Sequence, residues 1–473
     1  SVDPHFGSND EFKAFVDAAH ARGMKVYMDI ITNHTADVIQ YKECPTSACA
    51  YRSRADFPYS RRASDGTAIN AGFEGDRIRT KENFDKLTDM TFAYTPVVPK
   101  AEADVKVPAW LNDIRFYHNR GDTTFRGENS TMGDFVGLDD LYTENPRVVD
   151  GFIEIYGAWI DKYGIDGFRI DTAKHVNPEF WQKFAPAMLE RAKARGIPNF
   201  HIFGEVANDG ANVHDQAYHT RVAGLPTTLD FAFRRAAIEA VGGRMGTEVF
   251  NQLTDADALY AETAKDGRRL PTFLGNHDNG RFAREMRMTN PSAGDAEILK
   301  RVQLGHALMF TMRGVPTVYS GDEQGFAGDG NDQDARETLF ASKVAVYLDN
   351  KLVGTQSDHS RDNFDKGHPL YSMIAKLADL RVKHGALRRG VQIVRNYSDR
   401  PGLLAFSRID AESGQEILAV FNSANEPLTA NVEVETKATG FEALMGNCPA
   451  AMRAPGAATF QLAPLDFAVC LVK

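Results

Sequence analysis

A short apolar run in the middle of this sequence carries an arginine inside it and ends on an aspartate. The run spans residues 168–170, with Arg169 at its centre and Asp171 directly after it. Residues two apart project to the same side of an extended chain, so these two side chains should lie together. An arginine beside an aspartate indicates either a structural ion pair or a carboxylate tuned for catalysis, and these residues alone leave both interpretations open.

Polar residues also follow other apolar runs that are typical of buried strands. They are Glu205 after 200–204, His277 and Asp278 after 271–275, and Asn33 and His34 after 24–31. Glycoside hydrolysis needs a nucleophile, a proton donor with a raised pKa and negative charge near an oxocarbenium-like transition state. The three acids Asp171, Glu205 and Asp278 fit this chemistry.

The position of Arg169 indicates which of two acids is the nucleophile and which is the proton donor. Its positive charge favours an ionised Asp171, as a nucleophile requires. A carboxylate next to an arginine is a poor acid, so Glu205, which follows an apolar run, is the better candidate for the proton donor.

Strand and helix patterns alternate along most of the chain. Strands are predicted over 24–31, 168–170, 200–204, 228–233, 271–275 and 315–320, and helices over 10–22, 147–163, 179–195, 300–312 and 370–384, with another from residue 234. This alternation predicts parallel strands joined by helical crossovers. Polar tips on nearly every strand favour a (β/α)₈ TIM barrel over a doubly wound sheet, which would concentrate its site at one switch point.

Two stretches of the sequence lack this regular alternation of strand and helix patterns. Residues 35–133 have weak periodicity and many turn formers, which indicates a functional insertion rather than a linker. Residues 391–473 contain short alternating and β-branched runs, which predict an antiparallel β-sandwich. The remaining residues, 1–34 and 134–390, form the predicted barrel, and we expect the C-terminal domain to cap it.

The net charge and the hydropathy of the sequence limit the classes of binding partner that are expected. The net charge is −10 without a basic block, and no apolar run approaches the roughly 18 residues of a membrane span, so neither nucleic acid nor membrane is expected as a partner. The four cysteines pair by position as Cys44 with Cys49 and Cys448 with Cys470. Two disulfides and an extracellular or periplasmic location are expected; the alternative is four thiols in a cytosolic protein.

Four segments in order resemble the signature regions of the α-amylase family, glycoside hydrolase family 13. They are residues 29–34, 167–171 with Lys174 and His175, 203–206, and 273–278. The resemblance covers residues 1–390, and a C-terminal sandwich is also typical of the family. It implies that residues 35–133 are the inserted domain B.

The resemblance also implies individual roles. Asp171 would be the nucleophile, Glu205 the general acid/base and Asp278 the stabiliser of the transition state. The residues implied to bind substrate are His34, Arg169, Lys174, His175 and His277. Outside these motifs, the histidines would more often be structural and Lys174 a solvated helix charge. Sugar-stacking aromatics are expected among Trp110, Tyr117 and Phe135, although such residues are more often part of a core.

A structural calcium ion is a further implication of the resemblance. Asn33, Asp140 and the main-chain carbonyl of His175 match its ligands, and oxygen ligands from distant segments suit this cation. The alternative is that Asn33 and Asp140 are turn formers and caps. In the family the strand matching 24–31 is the third, so the first two barrel strands are expected to be missing from this sequence.

The predicted function is that of a retaining hydrolase of α-1,4-glucosidic bonds in starch-like glucans, an α-amylase. Alternatives in the same family are a maltodextrin glucosidase, a cyclomaltodextrinase or a transglycosylase. An alternative of another class is a non-catalytic relative that binds carbohydrate or a partner. Such relatives usually lose at least one of the three acids, and all three are present here.

Overall fold

A computed structural model describes residues 1–45, 48–265, 267–330 and 332–473. It divides into two compact units, which are described separately. Unit 1 comprises Ser1–Ala207 and Tyr218–Thr228, and unit 2 comprises Asn208–Ala217 and Leu229–Lys473.

The α-helices occur throughout the chain. They are α1 (Asn9–His20), α2 (Lys81–Phe84), α3 (Pro146–Tyr163), α4 (Pro178–Ala194), α5 (His214–Arg221), α6 (Phe231–Val241), α7 (Glu248–Ala256), α8 (Phe282–Thr289), α9 (Asp295–Thr311), α10 (Ala345–Leu348), α11 (Pro369–Lys383) and α12 (Gly385–Arg389). Within the described residues, no helix combines the length and the hydropathy needed to cross a bilayer.

The strands are short before residue 390 and longer after it. They are β1 (Tyr27–Ile31), β2 (Gln40–Tyr41), β3 (Pro96–Val97), β4 (Gly167–Asp171), β5 (His201–Gly204), β6 (Thr227–Thr228), β7 (Pro271–Phe273), β8 (Val315–Thr317), β9 (Val391–Asn396), β10 (Leu403–Ile409), β11 (Glu416–Asn422), β12 (Leu428–Glu433), β13 (Phe441–Met445), β14 (Ala457–Leu462) and β15 (Asp466–Val472).

Unit 1 is built on a parallel sheet in the order β1-β4-β5-β6. The helix before β4 has clear local causes: the Asn145 side chain caps α3, Pro146 occupies its first turn, and Gly164 ends it with φ 68°. Phe168 and Ile170 on β4 are fully buried in the core. The alternation of a strand therefore turns Arg169 and Asp171 to the opposite side.

The stretch 35–133 of unit 1 is irregular, as its weak periodicity predicts. It holds α2, β2 and β3 and is organised by hydrogen-bonded turns and isolated bridges. An aromatic cluster forms its core, in which the buried Arg120 guanidinium lies over the rings of Tyr59 and Phe92. The predicted disulfide Cys44–Cys49 is present, with a Cα–Cα distance of 5.9 Å.

Unit 2 combines the parallel pair β7-β8 with helices and the C-terminal strands. Residues after 390 form a five-stranded antiparallel sheet in the order β13-β15-β11-β10-β9 and a second antiparallel pair, β12-β14. Phe406 and Phe421 of the larger sheet belong to the same buried cluster as Phe250 and Leu308 of α7 and α9. The second predicted disulfide, Cys448–Cys470, is present in this part.

Candidate active site

Arg169 is the centre of the candidate site in unit 1. Its Nη1 atom lies 2.7 Å from Asp171 Oδ1 and 2.9 Å from Asp29 Oδ1, and its Nη2 atom lies 3.1 Å from Glu205 Oε2. Burial would lower the pKa of Arg169, but the negative charges of Asp29 and Glu205 raise it above its ordinary value. One permanently charged guanidinium thus holds three carboxylates from three adjacent strands.

The position of Glu205 differs from the sequence argument in one respect. From the sequence, Asp171 is the acid beside the arginine and Glu205 the acid away from it, whereas in the structure both contact Arg169. Glu205 Oε2 also accepts a hydrogen bond from the Thr172 amide at 3.1 Å. Proximity to the arginine therefore does not separate the roles of these two acids.

Asp29 is a member of this cluster that sequence reasoning did not select. It lies opposite Arg169 in the parallel register of β1 and β4, and its side chain is 54% exposed. Its position two residues before the end of the 24–31 run was the available signal. Which strand pairs with which is a tertiary fact that this signal does not contain.

His34 and His175 meet across an aromatic side chain. The His34 ring stacks on Phe135 with centroids 5.2 Å apart, and Phe135 contacts His175 edge-on at 5.4 Å. Burial lowers the pKa of both histidines, so both are neutral near pH 7. His175 Nδ1 lies 2.8 Å from the Ser130 carbonyl oxygen and can donate to it, which leaves Nε2 as an acceptor.

The predicted stacking aromatics have different surroundings. Trp110 packs edge-on against Phe116, and the Arg147 guanidinium lies 4.8 Å from its ring centroid. Tyr117 is 1% exposed, so its ring offers no free face. Phe135 adjoins both histidines. Phe125, which is 47% exposed and was not selected from the sequence, contacts Phe135 and His175.

Lys174 belongs to the loop that follows β4. Its Nζ atom donates to the Ala207 carbonyl at 3.1 Å, and its amide donates to the Glu205 carbonyl at 3.3 Å. These contacts tie the loop after β4 to the loop after β5. The Lys174 side chain is therefore tied to the backbone beside the acids.

Asp278 and His277 lie in unit 2, on the turn that follows β7. Asn276 Oδ1 accepts hydrogen bonds from the amides of Asp278 and Asn279, at 3.1 and 2.7 Å. Asp278 Oδ2 lies 3.2 Å from His277 Nε2, and Asp278 Oδ1 lies 3.9 Å from Arg336 Nη2. The turn presents a half-exposed carboxylate flanked by two basic side chains.

Asn33 and Asp140 are two of the residues predicted to bind calcium. Each is 2% exposed. The Asn33 side chain hydrogen-bonds Asp140. His118 lies 2.6 Å from Asp140 through Nδ1 and 2.9 Å from Glu144 through Nε2. Burial raises the pKa of Asp140, and the neighbouring carboxylates raise the pKa of His118 against the effect of its own burial.

Asn33 and Asp140 supply oxygen ligands of the kind that calcium binds, from segments more than a hundred residues apart in sequence. Within the described residues, no group of three or more His, Cys, Asp or Glu side chains is arranged to hold a metal ion. The fit therefore rests on Asn33, Asp140 and main-chain carbonyls, and His118 already supplies positive charge beside Asp140.

Comparison with known proteins gives a consistent picture. Residues 1–390 match the family model described as "Alpha amylase, catalytic domain". An α-amylase from Streptomyces lividans is 42% identical over 445 residues, which are 94% of this chain and 47% of that protein. The chain thus spans less than half the length of this relative.

Two solved structures resemble the whole chain. An Anoxybacillus α-amylase has a TM-score of 0.68 at 23% identity, covering 100% of this chain and 80% of the other. An α-amylase from Geobacillus thermoleovorans complexed with acarbose has a TM-score of 0.66 at 20% identity, covering 100% and 82%. These likenesses confirm the predicted fold class, a TIM barrel with a C-terminal antiparallel domain.

Proposed function

This chain belongs to the α-amylase family, and from that premise we propose that it is a retaining glycoside hydrolase that cleaves α-1,4-glucosidic bonds in starch-like glucans. One observation carries the proposal: a single guanidinium, that of Arg169, contacts both Asp171 and Glu205. A retaining mechanism needs two carboxyl groups close together on either side of the scissile bond. The acarbose complex of the Geobacillus thermoleovorans relative supports a carbohydrate ligand.

In the proposed reaction Glu205 donates its proton to the glycosidic oxygen while Asp171 attacks the anomeric carbon. The bond to the leaving sugar breaks, and a covalent glycosyl ester forms on Asp171. Glu205, now ionised, removes a proton from water, which attacks the same carbon and releases Asp171. Two inversions give net retention of configuration.

The other predicted residues have supporting roles in this proposal. Arg169 holds Asp171 in place beside Glu205, and Asp278 supplies negative charge to the oxocarbenium-like transition state. Neutral His34 and His175 can exchange hydrogen bonds with sugar hydroxyls, since each neutral ring has one donor and one acceptor nitrogen. His277 and Lys174 would contact sugar as donors.

The anomeric form of the first product tests this function. NMR spectra taken within minutes of mixing enzyme with maltoheptaose should contain the α-anomer before mutarotation sets in. A β-anomeric product would indicate inversion and would reject the assignment of Asp171 as nucleophile. Products of amylose separate the alternatives: an endo-acting amylase releases a range of maltooligosaccharides, a glucosidase releases glucose alone, and a transglycosylase makes longer or cyclic products.

We also propose that calcium binds at Asn33 and Asp140, with the main-chain carbonyl of His175 as a further ligand. The ion would join the two ends of the stretch 35–133, near Asn33 and Asp140, to the segment after β4 that carries His175, and would supply structural rigidity there. Chelation should lower the melting temperature, and added calcium should restore it. The Asp140→Asn variant should be insensitive to chelator; an unchanged wild-type melting curve would reject the ion.

The two disulfides support an extracellular or periplasmic location, because such bonds persist in oxidising compartments. Reporter fusions to the natural gene, assayed in the culture medium, the periplasm and the cytoplasm, would test this location. Recovery of the protein in the cytoplasm with reduced thiols would reject it.

A further inference from the structure

Arg281 follows Asp278 by three residues and is completely enclosed by unit 2, with a side-chain exposure of 0%. Its Nε atom donates to Glu337 Oε2 at 2.9 Å. Its Nη1 atom donates to the Ser320 carbonyl at 2.7 Å and to Asp322 Oδ1 at 3.0 Å. One buried cation thus joins the turn after β7 to two other segments of the chain.

Aromatic rings complete the enclosure of this guanidinium. Its central carbon lies 3.9 Å from the ring centroid of Tyr319 and 5.3 Å from that of Phe326. The Tyr319 hydroxyl donates to the Ala335 carbonyl at 2.9 Å, close to Glu337 in sequence. The rings restrict the guanidinium plane to the orientation in which its hydrogen bonds are made.

Glu337 is itself fixed on its other side. Its Oε1 atom accepts a hydrogen bond from the Gly328 amide at 2.8 Å, and its side chain is 0% exposed. Gly328 and Glu337 are therefore linked by the same carboxylate that receives Arg281. Asp332 also reaches back to the turn, because its amide donates to the Asp278 carbonyl at 3.3 Å.

The turn that carries Asp278 is fastened at both ends. At its start, Asn276 accepts from the amides of Asp278 and Asn279 through its side chain and from the Gly280 amide through its carbonyl, at 3.1 Å. At its end, Arg281 is held by Glu337, Asp322 and Ser320. The backbone between these two anchors has little freedom to move the Asp278 carboxylate.

Such a network costs free energy to bury, and replacing buried ion pairs by apolar side chains is often neutral or stabilising. Burial raises the pKa of Asp322 to about 7 despite the neighbouring Arg281 charge, so the environment opposes ionisation. An arrangement with this cost is expected where it fixes a geometry that an apolar core would leave adjustable. The group whose geometry it fixes is the turn of Asp278.

We propose that Arg281 is a positioning residue for Asp278, acting by fastening the 276–281 turn to Ser320 and Asp322 after β8 and to Glu337. This inference rests on the proposed function, in which Asp278 stabilises the transition state. Arg281 does not touch substrate in this scheme; it sets the position of the carboxylate that does.

The Arg281→Lys variant tests the proposal, since lysine keeps the charge but cannot bond Glu337 and Ser320 together as the planar guanidinium does. We expect kcat to fall about 10- to 100-fold with KM within about twofold, because a displacement near 1 Å can cost about 100-fold in rate. Arg408→Lys is the matched control: Arg408 is also fully buried in unit 2 and donates to the carbonyls of Thr311 and Gly390, both at 3.0 Å. It should lower the melting temperature without changing kcat.

A double-mutant cycle separates positioning from a general loss of structure. If Arg281 acts through Asp278, then Arg281→Lys should leave the residual kcat of Asp278→Asn unchanged. Losses that multiply would overturn the proposal. If Arg281→Lys fails to fold, Glu337→Gln removes one acceptor of the same guanidinium and should reproduce the drop in kcat.

Hydrogen exchange gives a readout that does not depend on turnover. Arg281→Lys should accelerate exchange of the amides of Asp278 and Asn279, whereas Arg408→Lys should not. Unchanged exchange at this turn would overturn the positioning role even in a preparation without activity. A wild-type chain that fails to hydrolyse maltooligosaccharides would instead count against the proposed function, and the two failures are therefore distinguishable.

Discussion

At the scale of single residues, Arg169 organises the site by sharing its charge among three carboxylates. A carboxylate close to other carboxylates resists ionisation, and the guanidinium offsets this repulsion. Because arginine remains charged at every accessible pH, the offset does not vary with conditions. Side chains alternate along β4, so Arg169 and Asp171 both point into this cluster. The short motif around these two residues therefore predicted a large part of the site.

Replacing Asp171 by asparagine should abolish turnover and leave the fold intact. The amide is nearly isosteric but cannot attack the anomeric carbon, and the loss in kcat should reach at least about 1000-fold. Rates on maltoheptaose and the far-UV circular dichroism spectrum would be measured together. Asp161→Asn is the matched control, because Asp161 pairs with Arg191 at 2.6 Å and belongs to no candidate site; it should retain full activity. Substantial activity in clean Asp171→Asn would discard the nucleophile assignment.

His306 should make unit 2 sensitive to mild acid. Burial lowers its pKa to about 4, against the Val302 carbonyl and the charge of Glu323, which raise it. The unfolded chain therefore binds the proton first, and stability is lost as the pH falls from about 6.5 to about 4, by about 3 kcal/mol. Urea unfolding at pH 7 and pH 4.5 should give a smaller difference for His306→Gln than for the wild type. His5→Gln, at a side chain 89% exposed, should behave as the wild type; equal pH differences in all three proteins would contradict this role.

At the scale of elements, the alternation of strand and helix was readable from the sequence, but some boundaries were not. The helix predicted over 147–163 is α3, whose cap, first-turn proline and terminal glycine are all local signals. The strand predicted over 228–233 is wrong in length: β6 ends at Thr228, and α6 begins at Phe231. Asp230 caps α6 and also pairs with Arg313, and the second of these contacts comes from a residue 83 positions away.

The site residues, like the elements, could be predicted from the sequence only in part. Asp171 and Glu205 end predicted strands and are found together in unit 1, where their strands are adjacent. Asp29 and Phe125 were missed for different reasons. Asp29 depends on strand register, and Phe125 lies in irregular backbone with φ 61°, a conformation that no periodic pattern indicates. The individual roles given to the site residues remain predictions.

The two disulfides should contribute unequally to stability. Cys448 and Cys470 are separated by 22 residues and Cys44 and Cys49 by 5. Loop-closure entropy gives about 3 kcal/mol for the longer loop and about 2 kcal/mol for the shorter one. Urea unfolding of the Cys448→Ala/Cys470→Ala and Cys44→Ala/Cys49→Ala variants should reproduce this order. A larger loss for the shorter loop would show that chain entropy is not the main contribution.

At the scale of the whole molecule, the C-terminal sheet of unit 2 is part of a shared core. Besides the apolar cluster, the Arg408 guanidinium donates to Thr311 at the end of α9, and the Arg313 amide donates to Gln392 Oε1 at 2.8 Å. Glu248 at the start of α7 donates its amide to the Ser398 carbonyl at 3.1 Å. These contacts pack residues 391–473 against the helices that precede them; that this domain caps the barrel remains a prediction.

Removal of residues 391–473 should therefore leave an insoluble or partly unfolded product. A milder form of the same test is Phe406→Ala, which should lower the free energy of unfolding by about 3 to 5 kcal/mol because Phe406 is 0% exposed. Tyr397→Ala is the control in the same domain, directly after β9, since Tyr397 is 51% exposed and its loss should cost little. A soluble and fully active truncated chain would refute the stabilising role.

The strand order of the C-terminal sheet has a consequence for synthesis on the ribosome. Strands β9, β10 and β11 are neighbours in both sequence and space, so they can pair as they emerge. Strand β13 pairs with β15, which also borders β11, and β15 is translated about 20 residues after β13. At about 5 to 20 residues per second, β13 waits for roughly one to four seconds without its partner. During that interval the nascent chain exposes the unpaired edges of β11 and β13, which are open to pairing with other nascent chains until β15 fills the gap between them.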